Sequence, residues 1–202
     1  RKAKMDKSGE IIKNPVIIKY YQSIIGSVLY IARHVRPEIS FAVAYLARYA
    51  TKLTRARISQ AEALIYWLKF TKHRKCYYKL IPSKKGIIEV FTDADFGNAT
   101  EDASSTSGMA LYYAGNLIDY HSKKQKYTAQ NSTEAEVIAA CEAFKRLIYT
   151  LKMMTALNLP VKQVIMYIDN KSAKMQIESE ECTRNSKFYQ VRYQRIRQNL
   201  KY

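Results

Sequence analysis

The sequence has few cysteines and histidines and no long apolar run, and each shortage excludes a class of protein. Its three cysteines form no Cys-x-x-Cys pair, so neither a disulfide framework nor a zinc site is indicated. The three histidines show no pairing typical of nucleophilic catalysis. No apolar run approaches a membrane span, and the first ten residues lack the apolar core of a signal peptide. We therefore expect an intracellular protein without a membrane partner.

Acidic residues are scarce as well, chiefly in the first half of the chain. Lys and Arg number 34 against 17 Asp and Glu, a formal net charge of +17. Residues 1–86 hold 19 basic and 4 acidic residues, net +15, and residues 87–202 hold 15 and 13, net +2. Such one-sided charge is typical of a surface that binds nucleic-acid phosphates, while the carboxylates of the second half could bind cations.

The hydrophobic pattern predicts a helical part followed by an α/β part. Residues 1–14 are polar, and we expect them to be mobile. Helical spacing predicts helices at about residues 17–33, 37–50, 58–72, 132–157 and 172–178, and a last helix from about residue 186. Strands are predicted at residues 76–82, 86–93, 108–115, 116–122 and 164–169. We therefore expect a small helical region over 15–85 and, over 86–202, a mixed sheet with flanking helices.

Two aspartates lie where such a sheet presents ligand-binding groups. Asp93 and Asp169 each end an apolar strand. Either residue alone could be a turn residue or a helix cap, as Asp169 could be for the helix that follows it. Together they predict converging carboxylates of the kind that bind two catalytic cations.

Glu134 is the third candidate ligand. The large apolar residues of the long helix define a predicted buried stripe: Val137, Cys141, Phe144, Ile148 and Leu151. Glu134 falls beside this stripe, whereas Glu136 and Glu142 point toward solvent. A carboxylate that faces the sheet needs a partner such as a cation. The alternative is a capping box, in which Asn131 caps the helix and Glu134 reaches back.

Arginines lie among aromatic residues in the basic half. Arg33, Arg36, Arg48, Arg55 and Arg57 are candidates for contacts with nucleic acid. The alternative for the neighbouring aromatic residues is packing in and around the helical core.

Several motifs resemble one known family. The stretches TDADFGNATEDASSTSG, SKKQKYTAQNSTEAEVIAACEA and YIDNKSA closely resemble the ribonuclease H (RNase H) domain of copia-type LTR-retrotransposon Pol polyproteins. The stretch YYQSIIGSVLYIARHVRPEISFAV resembles the segment after the reverse transcriptase palm in the same polyproteins. The resemblance implies an RNase H-like α/β fold over 86–202 and a thumb or connection region over 15–85. It also places Ser105 and Thr106 beside the site, as candidate nucleic-acid contacts.

The resemblance further implies an activity and its partners. Asp93, Glu134 and Asp169 match the metal-binding carboxylates of an enzyme that hydrolyses the RNA strand of an RNA/DNA hybrid during reverse transcription. The implied cofactor is a pair of Mg²⁺ ions, with Mn²⁺ as a substitute. The other implied partners are the reverse transcriptase palm and fingers and the integrase of the polyprotein. The implied location is a cytoplasmic virus-like particle, the nucleus, or both.

Two alternatives stay open beside this interpretation. The family continues into a further strand and a helix with a fourth acidic residue, and the chain ends at Tyr202 before both. We therefore expect a fragment, and a catalytically incomplete nucleic-acid-binding relic is the alternative function. An integrase or transposase is less consistent with the sequence, because those enzymes place both aspartates before the glutamate.

Overall fold

The computed structural model describes residues 10–97 and 104–178, and the chain forms two compact units that divide between Cys76 and Tyr77. This division precedes the predicted boundary between residues 85 and 86. The segment after Cys76 belongs to the second unit because the Asn116 side chain pairs with the backbone of Lys79. The Lys79 N–H donates to Asn116 Oδ1 at 2.7 Å, and Asn116 Nδ2 donates to the Lys79 carbonyl at 2.9 Å. Residues 1–9 and the helix predicted from residue 186 lie outside the described residues.

The first unit contains the three predicted helices. They are α1 (Pro15–His34), α2 (Ser40–Ala47) and α3 (Arg55–Phe70), with a short 3-10 helix (Pro37–Ile39) before α2. The Asn14 side chain accepts a hydrogen bond from the Val16 N–H, and Pro15 occupies the first turn of α1. The second helix is shorter than predicted, because the turn after Pro37 is a 3-10 helix and α2 ends at Ala47.

One face of α1 builds the core of this unit. Tyr21, Ile25, Val28 and Ala32 recur at steps of four, three and four residues, and all are buried. The Tyr21 hydroxyl donates to the Leu46 carbonyl at 3.0 Å and so ties α1 to α2. Burial raises the pKa of Tyr21 to about 12, although the charge of Arg57 acts in the opposite direction. The hydroxyl is therefore a fixed neutral donor within the core.

Among the described residues, one helix, α1, is long enough and apolar enough to cross a membrane, by length and composition only. The expectation that no apolar run approaches this length was wrong for α1. A core helix of a folded unit passes the same test, and α1 buries four residues in such a core. The length and apolar composition of α1 are therefore weak support for a membrane span.

The second unit is a four-stranded mixed sheet. Its strands are β1 (Ile87–Asp95), β2 (Thr106–Tyr113), β3 (Asn116–Lys124) and β4 (Gln163–Ile168). They lie in the order β3-β2-β1-β4, where β1 pairs antiparallel with β2 and parallel with β4. Two helices, α4 (Ser132–Ala156) and α5 (Lys171–Glu178), flank β4 in the chain and pack on the unit's core. The predicted α/β class, a mixed sheet with flanking helices, is confirmed.

The strand predicted at residues 76–82 does not form. Residues 77–81 carry no regular structure, and a 3-10 helix (Pro82–Lys84) follows them. Pro82 cannot donate to a strand ladder, and the Asn116 amide already satisfies the backbone of Lys79. The hairpin beside it turns at Ala114 and Gly115, with φ angles of 50° and 79°, the geometry of a type I′ turn. A Cβ on Gly115 would lie 2.7 Å from Ile81 Cδ1, so this turn also fits closely against the irregular segment.

Helix α4 packs against β1 and β2 through both small and large residues. The sheet contributes Ile88, Val90, Met109 and Leu111 to this core. The buried stripe of α4 recurs at steps of four and three residues: Glu136, Ala140, Ala143, Leu147, Thr150 and Met154. Of the predicted stripe, Val137, Cys141 and Phe144 are buried, and Ile148 and Leu151 are only partly buried. The alanines allow close approach of the helix to the sheet, and residues 135–141 are buried around the whole helix.

Candidate active site

Three carboxylates converge at one end of the sheet. Asp93 lies near the end of β1, Asp169 directly follows β4, and Glu136 lies in the second turn of α4. Strands β1 and β4 are parallel neighbours in which Thr92 pairs with Ile168, so the next residue of each strand carries an aspartate. One carboxylate oxygen from each of the three residues lies within 4.8 Å of the other two. The predicted convergence of Asp93 and Asp169 is therefore present, and their partner is Glu136.

Glu136 is the buried member of this cluster. Only 6% of the residue is exposed, whereas Asp93 and Asp169 are exposed. Burial, followed by the charges of Asp169 and Asp93, raises the pKa of Glu136 to about 7, and a hydrogen bond from the backbone of Ala94 opposes this rise. Its Oε2 is buried and has no hydrogen-bond partner among the described residues. A buried acidic oxygen of this kind is suited to a cation.

Glu134 instead closes the start of α4. Its Oε2 accepts a hydrogen bond from the Gln130 N–H at 2.7 Å, and its own N–H donates to Asn131 Oδ1 at 2.8 Å. This is the capping arrangement that the sequence left open as the alternative. The prediction that Glu134 faces the sheet and Glu136 faces solvent was wrong. The error arises because residues 135–141 are buried around the whole helix, so the large residues mark only one part of its buried surface.

Two of the five candidate arginines are structural residues of the helical unit. Arg36 donates to Glu38 and to Thr71, both at 2.6 Å, and its guanidinium lies over the ring of Trp67. Arg57 donates to Gln60 at 2.9 Å and lies 3.9 Å from the centre of the Tyr49 ring. Both arginines are buried, which argues against their contact with nucleic acid, and that contact stays a prediction.

The other candidate contacts differ in their exposure. Arg33 and Arg55 are exposed, and Arg48 is partly buried. Thr106 pairs with Asp95 across β1 and β2, and Ser105 precedes β2; both residues are buried. Burial argues against direct contact of these two side chains with a nucleic acid, and contacts by all five residues stay a prediction.

The carboxylate cluster fits a divalent cation of the hard class. Its donors are all oxygens, which suit Mg²⁺ or Mn²⁺ and not the softer metals. The three side chains come from three separate elements that meet at one sheet end, so the fold itself holds the donors together. The unpaired Oε2 of Glu136 provides a ligand atom that no described residue occupies.

The fold and the site define the class of protein, an α/β domain with a four-stranded mixed sheet and an acidic cluster at one end of it. No protein-family model matches the chain. The chain is 29% identical to the Retrovirus-related Pol polyprotein from transposon TNT 1-94 of Nicotiana tabacum, over 96% of its own length and 14% of that protein. It is also 29% identical to the Retrovirus-related Pol polyprotein from transposon RE2 of Arabidopsis thaliana, over 76% of its own length and 10% of that protein. The chain is thus related to a short segment of retrotransposon Pol polyproteins, as its motifs predicted.

One solved structure also resembles the chain. It is LC11-RNase H1, isolated from compost by a metagenomic approach, with 16% sequence identity and a TM-score of 0.42. The likeness covers 56% of this chain and 74% of that one.

Proposed function

We propose that this chain is the RNase H portion of a retrotransposon Pol protein and hydrolyses the RNA strand of an RNA/DNA hybrid. The observation that carries the proposal is the convergence of Asp93, Glu136 and Asp169 at one end of the sheet. The relationship to Pol polyproteins supports the same activity, although the chain spans only 14% of the tobacco relative.

The three carboxylates have different tasks in this mechanism. Asp93 and Asp169 are exposed, and they present ligand oxygens toward the substrate side of the site. Glu136 is buried and anchors the site from within, with one side of its carboxylate held by the backbone of Ala94. Two Mg²⁺ ions bound to these oxygens would activate the attacking water and stabilise the departing 3′ oxygen of the RNA. The chain's own contribution is the fixed placement of ligands with a strongly negative local charge.

The basic first half is proposed as the surface that binds the hybrid backbone. Residues 1–86 carry a net charge of +15. Arg33 and Arg55 are the exposed candidates, so their side chains are accessible to a phosphate group from solvent. The proposed partners are the hybrid and the remainder of a copia-type Pol protein, including its reverse transcriptase and integrase. The proposed location is intracellular, in a virus-like particle or the nucleus.

A nucleic-acid-binding relic without nuclease activity is the alternative function, because the same basic half would serve it equally. A cleavage assay separates the two. The substrate is an RNA/DNA hybrid labelled in the RNA strand, with Mg²⁺ and with the chelator EDTA in parallel. We expect Mg²⁺-dependent cleavage by the wild-type chain and none by Asp93→Asn purified in the same way, which controls for contaminating nucleases.

The two functions predict different outcomes of that assay. Salt-sensitive hybrid binding without cleavage supports the relic. Equal cleavage by the wild type and Asp93→Asn contradicts the assignment of the carboxylate site.

A further inference from the structure

Gln125 directly follows β3 and connects three parts of the second unit. The residue is 2% exposed, and its Nε2 donates to Ser107 Oγ at 3.0 Å and to the Ala135 carbonyl at 2.8 Å. Its backbone N–H donates to the Ser105 carbonyl at 2.8 Å. One buried side chain therefore joins β2 to the first turn of α4.

Both ends of this connection act on Glu136. Ala135 is its neighbour in the chain, so the bond to the Ala135 carbonyl fixes the helix where Glu136 leaves it. Ser107 pairs with Ala94 across β1 and β2, and the backbone of Ala94 holds the Glu136 carboxylate. Gln125 thus bridges the helix that carries Glu136 and β2, whose Ser107 is the cross-strand neighbour of the Ala94 that holds the carboxylate.

We propose that Gln125 is a positioning residue that sets the depth of Glu136 in the site. Through that depth it sets the affinity of the carboxylate site for divalent cations. The inference rests on the proposed metal-dependent function. Residues behind the direct ligands orient those ligands, and their loss typically weakens metal binding by about 10- to 100-fold.

The chemistry of the amide makes this role specific. A backbone carbonyl only accepts hydrogen bonds, so the Nε2 end of Gln125 must face Ala135. Methionine has a similar length and suits an apolar space, but it cannot donate to the carbonyl. Gln125→Met therefore removes both donated bonds while it keeps most of the packing.

A purely structural role is the competing explanation, and α4 offers a matched control. Arg146 donates to Asp119 Oδ1 at 3.0 Å and Oδ2 at 2.8 Å, and so ties the same helix to β3. This tie lies ten residues along α4 from Glu136 and outside the acidic cluster. We therefore expect Arg146→Met to loosen the helix without disturbing the residues around Glu136.

The test measures Mn²⁺ binding by the 202-residue chain with electron paramagnetic resonance, alongside thermal unfolding. We expect Gln125→Met to weaken Mn²⁺ binding at least about 10-fold. Arg146→Met should keep the wild-type affinity for Mn²⁺ even where it lowers the unfolding temperature as much as Gln125→Met does. Gln125→Met with wild-type affinity, or an equal loss in both variants, overturns the inference.

Two further results complete the test. A wild-type chain that binds no Mn²⁺ contradicts the proposed function itself, and with it this inference. If Gln125→Met does not fold, Ser107→Ala removes one of the two acceptors and keeps Gln125. We expect that variant to weaken Mn²⁺ binding about threefold, and an unchanged affinity overturns the role of Gln125.

Discussion

Replacing Glu136 by Gln is expected to stabilise the metal-free chain and to abolish hybrid cleavage. The carboxylate is buried beside Asp169 and Asp93, and these surroundings raise its pKa from 4.5 to about 7. The folded chain therefore favours the protonated form of Glu136. Glutamine resembles that form in shape and charge, so the variant avoids the cost of a buried, repelled anion.

The size of the effect follows from the pKa. A rise from 4.5 to about 7 corresponds to about 3 kcal/mol of stability lost on full ionisation. Local relaxation reduces this figure, and we expect about 1–2 kcal/mol. Because the folded pKa is the higher one, the stability is fully present below about pH 4.5. It is lost progressively as the pH rises from about 4.5 to about 7, so the excess stability of the variant should grow through this window and stay constant above it.

The assay is urea unfolding in EDTA at pH 4 and pH 8. The single tryptophan, Trp67, lies in the helical unit, so circular dichroism and amide hydrogen exchange of α4 should report on the second unit instead. Added Mg²⁺ should reverse the order at pH 8, because a ligand that binds the folded state stabilises it. Glu134→Gln, two residues away on the same helix, should follow the wild type.

Two results would refute this reasoning. One is a Glu136→Gln variant that is less stable than the wild type at pH 8 in EDTA. The other is a stability difference that is the same at pH 4 and pH 8, because it would show that ionisation is not the cause. Loss of cleavage in Glu134→Gln but not in Glu136→Gln would restore Glu134 as the ligand.

Three further predictions concern the rest of the site and the basic unit. Asp169→Asn should lower Mg²⁺-dependent cleavage at least about 100-fold, and unchanged cleavage would remove it from the ligand set. Glu134→Ala should lower the free energy of unfolding by about 1 kcal/mol but leave cleavage per folded molecule close to wild type. In filter-binding titrations over salt, Arg33→Gln should reduce the slope of hybrid binding by about one unit. Arg57→Met should lower stability and leave that slope unchanged, and the opposite pattern would contradict the exposure argument.

Much of the fold could be predicted because its signals are local. Alternating apolar residues mark β1 and β2, and helical spacing marks α1, α3 and α4. The failure at residues 77–81 is also physical. The Asn116 amide makes the two backbone bonds that a partner strand would make, and no propensity rule contains that contact.

The site could be predicted only in part. Asp93 and Asp169 were accessible to sequence reasoning because a strand end fixes where the next side chain lies. Glu136 was not, because the predicted helix face was weighted by residue size. The buried alanines Ala139, Ala140 and Ala143, at three, four and seven residues after Glu136, were the signal that could have found it. The surroundings of Arg36 and Arg57 could not be predicted from composition either. A net charge counts an arginine stacked on an aromatic ring and a solvent-exposed arginine in the same way.

The first two turns of α4 contain three features that depend on one another: the helix cap, the alanines and the buried Glu136. Glu134 and Asn131 fix where the helix begins, the alanines bring it close to the sheet, and Glu136 then meets Asp93 and Asp169. Without a cation this arrangement is unfavourable, because it buries a carboxylate near two others. A shift of the helix register by two residues would exchange the positions of Glu134 and Glu136. The residue at which α4 begins therefore decides which glutamate lies in the site. The ligand set is therefore a property of helix register and packing depth as much as of the acidic residues themselves.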